Sequence, residues 1–124
     1  MKLKHLLILL IVFLTACGKD EPYKFEVGDK VIVTDVIWAA DTIDNSDKLI
    51  LLMQDESLSD AEINDITVKM MDEGHITPLN KGEILRVVSM KYVDENEKAS
   101  QVRVYSEGWN KEMYAGYAYL QKTD

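Results

Sequence analysis

Few residues in this chain of 124 are of a type and spacing that could carry chemistry. Cys17 is the only cysteine, His5 and His75 are the only histidines, and aspartates recur at every third position at Asp41, Asp44 and Asp47. A histidine-centred triad would have to use His75, and no Gly-x-Ser-x-Gly motif supplies its nucleophile. No Cys/His spacing suits zinc. The aspartate series lacks the glycine and the distant glutamate of a calcium-binding hand, so it reads as a polar turn. The 22 acidic residues offer too many carboxylate pairs to single one out for acid–base work. The six glycines are scattered singly and form no phosphate-cradling loop. We therefore expect no enzyme, no cofactor and no metal. His75 follows Gly74 and reads as an exposed or capping side chain at a helix C-terminus, where a cation is mildly favoured.

Aromatic side chains are the remaining candidates. Tyr105, Trp109, Tyr114, Tyr117 and Tyr119 fall within fifteen residues, with Trp38 elsewhere. Tyr and Trp give large, rigid contact area, suited to a groove for a peptide or a glycan strand. Tyr117 and Tyr119 alternate with Gly116 and Ala118 in the manner of packing positions, so they are expected in or beside the core. Trp109 follows Gly108 in a turn and is expected to be exposed. Trp109, Tyr114 and Tyr105 are the candidate ligand-binding residues.

The chain opens with Lys2 and Lys4, a nine-residue apolar run from Leu6 to Leu14, and the small residues Thr15 and Ala16. That is the layout of a secretory signal peptide, and the run is short for a transmembrane helix, the alternative. Leu14-Thr15-Ala16-Cys17 resembles the lipobox of bacterial lipoproteins. The resemblance implies that residues 1–16 are removed and that Cys17 is lipidated as the first mature residue. It also implies a lipid-anchored protein at a cell membrane. In a Gram-negative host, with no aspartate after the cysteine, that membrane is the outer one and the domain faces the periplasm. In a Gram-positive host it faces outward. Several acyl chains anchor where one holds only marginally. Lipidation would also consume a thiol that is otherwise stray in an exported protein.

Removing 16 of 124 residues leaves 108, one domain's worth. Loss of Lys2 and Lys4 leaves 12 basic against 22 acidic residues, a net charge of −10. Such a surface repels nucleic acid and anionic head groups and suits a basic partner or solubility. Residues 17–24 read as a polar tether reaching at most ~28 Å. Residues 25–124 form one domain.

The elements that must position the aromatics follow from pattern. Lys30 to Trp38 is rich in Val and Ile and reads as a strand covered on both faces for part of its length. The run from Lys48 to Asp55 is helix or strand by periodicity. Its Leu and Met content favours helix, with Ser46 as a possible cap. Ser59 and Glu62 make a capping box, Leu58 and Ile63 occupy the staple positions, and Gly74 ends the helix, which spans 59–73. Ile63, Ile66 and Met70 share its packing face. Strands are expected at 83–93, 100–106 and 114–120. Val102 and Val104 alternate with Arg103 and Tyr105, as in a sheet with one wet face.

From Leu79 to Leu120 the chain resembles bacterial SH3-like barrels. Gly82 precedes an apolar strand, Val102-Arg103-Val104 follows across a hairpin, and Gly116-Tyr117-Ala118 stands where those barrels often have Gly-Trp-Val. Residues 27–33 would supply the first strand. The resemblance implies a mainly β fold, a small SH3-like barrel with a helical insertion at about 46–74 packed against it. It also implies a binding module for an envelope protein or peptidoglycan. The alternative is a modulatory or structural lipoprotein, such as a prophage-type blocker of a receptor or channel.

Overall fold

The computed structural model describes residues 23–94 and 99–123; the leader, Cys17 and the tether up to residue 22 lie outside them. Strands β1 (Lys30–Val33) and β2 (Ile37–Ala40) come first, followed by helices α1 (Ile43–Gln54) and α2 (Asp60–Asp72). Strands β3 (Ile76–Leu79), β4 (Ile84–Tyr92), β5 (Gln101–Ser106) and β6 (Lys111–Gly116) follow. A 3-10 turn (Tyr117–Tyr119) then leads into β7 (Leu120–Lys122). The fold is mainly β, one antiparallel seven-stranded sheet in the order β3-β2-β6-β5-β4-β1-β7, with two helices. The sheet is open, with β3 and β7 at its edges.

Alternation sets the faces. Val31 and Val33 of β1, Leu85 and Val87 of β4, Val102 and Val104 of β5, and Met113 and Ala115 of β6 are buried together in the main core. Phe25 and Tyr117 pack into the same core, their ring centroids 5.2 Å apart. The intervening residues of β5 and β6, among them Arg103, Tyr105 and Tyr114, form the outer face.

The strand expected from Lys30 to Trp38 is two strands. Residues 34–36 turn the chain through a corner, and β1 and β2 land four strand spacings apart in the sheet. In a flat sheet that separation is ~19 Å. The four residue steps from Val33 to Ile37 reach at most ~14 Å. The sheet therefore curls, bringing β2 round toward β1. Apolar residues on both faces of this stretch mark the corner: Ile37 and Ala39 enter the main core, whereas Trp38 and Ala40 face the helices.

The helical insertion starts earlier than its sequence suggests. Thr42 caps α1, its hydroxyl accepting the Asn45 backbone N–H at 3.1 Å. Ser46 is no cap; it is buried within the helix. The run from Lys48 is helical, as its composition favours. In α2 the capping box forms in both directions, Ser59 N–H to Glu62 Oε1 at 2.9 Å and Glu62 N–H to Ser59 Oγ at 3.1 Å. Gly74 follows with φ 81°, a conformation that carries no steric penalty only in glycine. The packing face is rotated from the expected one. Thr67 and Met70 are buried and Ile63 is half-buried, but Ile66 is 39% exposed. Leu49, Met70, Ala40 and Ile76 make a second, smaller core that holds the helices on the outer face of β2 and β3.

One further expectation is corrected, and one strand is added. Strand β3 occupies a stretch to which the sequence pattern assigns no element, and Thr77 pairs with Ala39 there. The strand expected at 114–120 is broken. β6 ends at Gly116, the 3-10 turn follows, and only Leu120–Lys122 continues as β7, against β1.

Candidate recognition strip and groove

The helices cover the outer face over β2 and β3 and leave it open over β6, β5 and β4. Pair register orders that open face into rows. Tyr105 stands opposite Glu112 and Arg103 opposite Tyr114; two residues further along each strand, Gln101 stands opposite Gly116. Successive rows on one face are ~7 Å apart.

Tyr105 and Tyr114 thus lie on one face, half-buried, each under a guanidinium. The Arg86 guanidinium carbon lies 5.3 Å from the Tyr105 ring centroid, and that of Arg103 lies 4.9 Å from Tyr114. Arg103 Nε donates to Glu112 Oε1 at 2.6 Å, which raises the Arg103 pKa further above its already high value. The edge of Tyr92 meets Tyr114 with ring centroids 5.8 Å apart. The Tyr105 hydroxyl donates to Asn110 Oδ1 at 2.7 Å. Asn110 takes φ 53° in the β5–β6 turn, a left-handed conformation that asparagine tolerates. Trp109 precedes it at the tip of this hairpin and is 48% exposed, held by its backbone N–H donating to Ser106 Oγ at 3.1 Å. The turn joins β5 to β6, and β7 lies beyond.

At its other end the strip runs into a groove of about 530 Å³ where the open face meets α1. Three stretches distant in sequence build it. The corner and the start of β2 supply Val36 and Trp38, α1 supplies Leu49 and Met53, and the 3-10 turn supplies Tyr119. The turn is tied to the corner because the Tyr119 carbonyl accepts both the Thr34 backbone N–H at 2.9 Å and the Thr34 hydroxyl at 3.1 Å. Gly116 also lines the groove, and a Cβ there would stand 3.0 Å from the Tyr119 ring, so glycine lets the ring lie close over the backbone. Val36, Met53 and Tyr119 are each close to half exposed or more. Ser46 and Gln101, both buried, are among the polar residues of this lining.

The paired expectation for Tyr117 and Tyr119 divides. Tyr117 is core, whereas Tyr119 is 46% exposed on the groove. Sequence reasoning missed Trp38 and Met53 as groove residues. The available signal was the both-faced apolar stretch ending in Trp38, whose second face had to be covered by something other than the main core.

His75 lies away from the strip. Its Nδ1 is 3.3 Å from Asp41 Oδ2 and its Nε2 is 3.9 Å from Glu73 Oε1, while its backbone N–H donates to the Met70 carbonyl at the end of α2. Burial works against an ionised Asp41. Hydrogen bonds from Asn45 and His75, with the His75 charge, outweigh it and hold the carboxyl below the ordinary range. Asp44 lies in the first turn of α1, and no group of three metal-ligating side chains forms among the described residues. Among the described residues, too, no helix is long and apolar enough to cross a membrane.

Compared with known proteins, the chain matches no family model, no curated protein sequence and no solved structure.

Proposed function

We propose that this chain is an envelope lipoprotein, anchored through Cys17, whose domain binds an extended partner along the strip from Trp109 to the Trp38–Tyr119 groove. The partner is a segment of an envelope protein or a peptidoglycan strand. The observation that carries this reading is the alignment of Tyr105 and Tyr114, half-buried under their guanidinium groups, with exposed Trp109 at one end and the apolar groove with exposed Tyr119 at the other. Rings spaced along a groove take extended ligands by alternate side-chain contacts. Binding rather than catalysis is assigned because the strip presents rings, guanidinium groups and a thioether. The single histidine of the domain sits on another surface. We further assign the domain to the SH3-like barrels. The curl forced by the 34–36 corner supports this, as does the pairing of β1 with both β4 and the terminal β7. Exposed Trp109 and Tyr119 favour this reading over a modulatory or structural lipoprotein with its aromatic side chains buried.

Photo-crosslinking tests the reading. A benzophenone amino acid replaces Tyr119 or Trp109 in one pair of cells, and exposed Val27, outside the strip, in a control. One adduct common to the two strip positions and missing at Val27 is expected. Equal labelling at all three positions sinks the proposal.

A further inference from the structure

The net charge of the mature chain is not spread evenly. Residues 41–74 hold ten acidic residues against Lys48 and Lys69, a net charge of −8 out of the −10 of the whole. The helix pair is therefore the acidic pole of the molecule, while Arg86, Arg103 and Lys91 stand on the open sheet face. The same helices expose large apolar side chains, Leu51 at 67%, Val68 at 41%, Ile66 at 39% and Met71 at 38%. Solvated helix faces are ordinarily polar.

Between α1 and α2 lies a second groove, of about 420 Å³, and Leu51 and Ile66 of that exposed set line it. Its walls are two helical stripes. Lys48, Leu51 and Leu52 of α1 are followed at the same three- and four-residue spacing by its C-cap Asp55, and Ile66 and Met70 of α2 by its C-cap Glu73. Leu51, Leu52, Ile66 and Met70 are the apolar part of a lining that is otherwise polar. The two helices are joined by five residues, 55–59, so they run back and forth and carry Asp55 and Glu73 to opposite ends of the groove. His75 lines the Glu73 end and holds Asp41 beside it. The last turn of α1 has no basic residue to offset its exposed carbonyls, which adds to the negative potential at the Asp55 end.

We propose that this groove docks a cationic amphipathic helix of a partner protein. A twelve-residue helix such as α1 is ~18 Å long, so about three turns of a partner fill the groove lengthwise. Its apolar stripe lies on Leu51, Leu52 and Ile66, and its Lys or Arg residues meet Asp55 and Glu73. Helix-in-groove recognition has this form, with anchors at every third and fourth position. Charge complementarity sets the sign of the partner, since Asp55 and Glu73 outnumber Lys48 in the lining and the helix pair as a whole is acidic, and the apolar side chains of Leu51, Leu52 and Ile66 call for amphipathicity, which a simple polycation lacks. The surface is separate from the aromatic strip, and the proposal stands whether or not the strip binds.

The test uses the full chain carried in phosphatidylcholine nanodiscs, with empty discs as the blank, and a 14-residue Leu/Lys peptide patterned as an amphipathic helix. A scrambled peptide of the same composition, with no apolar face, is the comparison. Saturable binding of the patterned peptide is expected, at least tenfold tighter than the scrambled one. Leu51→Ser with Ile66→Ser should weaken it tenfold or more, and both positions are exposed enough for the fold to tolerate the change. Asp55→Asn with Glu73→Gln should weaken it and flatten its salt dependence, an arm that does not rely on the apolar variants. Tyr119→Ala should leave it unchanged. Equal binding of the two peptides reduces the effect to net charge and overturns the proposal. So does an undiminished affinity in both double variants, or the absence of saturable binding.

Discussion

The hydroxyl of Tyr117 accepts the backbone N–H of Lys24 at 2.9 Å, across 93 residues of chain. The Lys24 ammonium stands 4.6 Å from the centre of the same ring, and Phe25 packs beside it. One buried side chain of the 3-10 turn thus holds Lys24 and Phe25 against the main core.

Tyr117→Phe removes only the hydroxyl. It should cost about 1 kcal/mol, the net worth of one hydrogen bond. Tyr117→Ala should cost about 3–5 kcal/mol, because the ring leaves a cavity in the main core. Urea midpoints at constant slope measure both. Tyr119→Ala, on an exposed ring, should shift the midpoint far less.

Helix α2 gives a contrast of its own. Met70→Asp should destabilise by about 3 kcal/mol or more, because an unpaired charge would enter the second core. Ile66→Asp, on the exposed side, should cost about 1 kcal/mol or less. Ser59→Ala should cost about 1 kcal/mol through loss of the cap. Thermal unfolding of the three variants ranks them, and Ile66→Asp matching Met70→Asp would contradict the observed rotation of the helix.

Acid should loosen both ends of the helix pair. The Asp41 carboxyl is held below the ordinary range although burial opposes it, by Asn45 and His75. That of Glu62 is held low by the Ser59 backbone N–H and then the Ser59 hydroxyl. Folded pKa values below the unfolded ones stabilise the native state above about pH 4, and that stabilisation is lost as pH falls through the folded values. Tm should therefore drop as pH falls below about 4, less steeply in Asp41→Asn/Glu62→Gln than in the natural sequence. Parallel Tm–pH curves would exclude these two groups as the cause.

Trp109→Ala should weaken capture of the crosslinked partner by more than about 1 kcal/mol. Its Tm should stay nearly unchanged, since the ring is half exposed at a hairpin tip. A large fall in Tm would instead make Trp109 a structural residue of the turn.

Cys17→Ala should leave the chain uncut or free of the membrane fraction, and it should take up no labelled palmitate. Labelling that persists in this variant would place the lipid elsewhere.

What could be read from sequence was local. Ser59, Glu62 and Gly74 act within a few residues of one another, so the ends of α2 were legible. So was the alternation of Val102 and Val104 with Arg103 and Tyr105. Choices settled by distant partners were not. Ser46 looks like a cap, but Thr42 is the residue left outside the helix once Leu49 is turned onto Ala40 and Ile76. Ile66 fits the apolar period of α2, yet Thr67 and Met70 take the buried side because β3 lies there. Trp109, Tyr114 and Tyr105 could be proposed from composition. The groove they lead to could not, because its walls come from residues 36–38, α1 and a 3-10 turn that meet only after the sheet has curled.

The pairing of Val31 with Lys122 has a consequence for the order in which the sheet is assembled. No N-terminal portion can complete the sheet by itself, because β1 keeps a bare edge until residues 120–122 arrive. Bringing such remote segments together costs loop entropy before any contact rewards it, so sheets built this way close slowly. If the chain is exported as proposed, it must stay unfolded while it threads a translocation channel. Because β1 pairs with residues 120–122, its second edge then stays unpaired until that segment too has emerged on the far side.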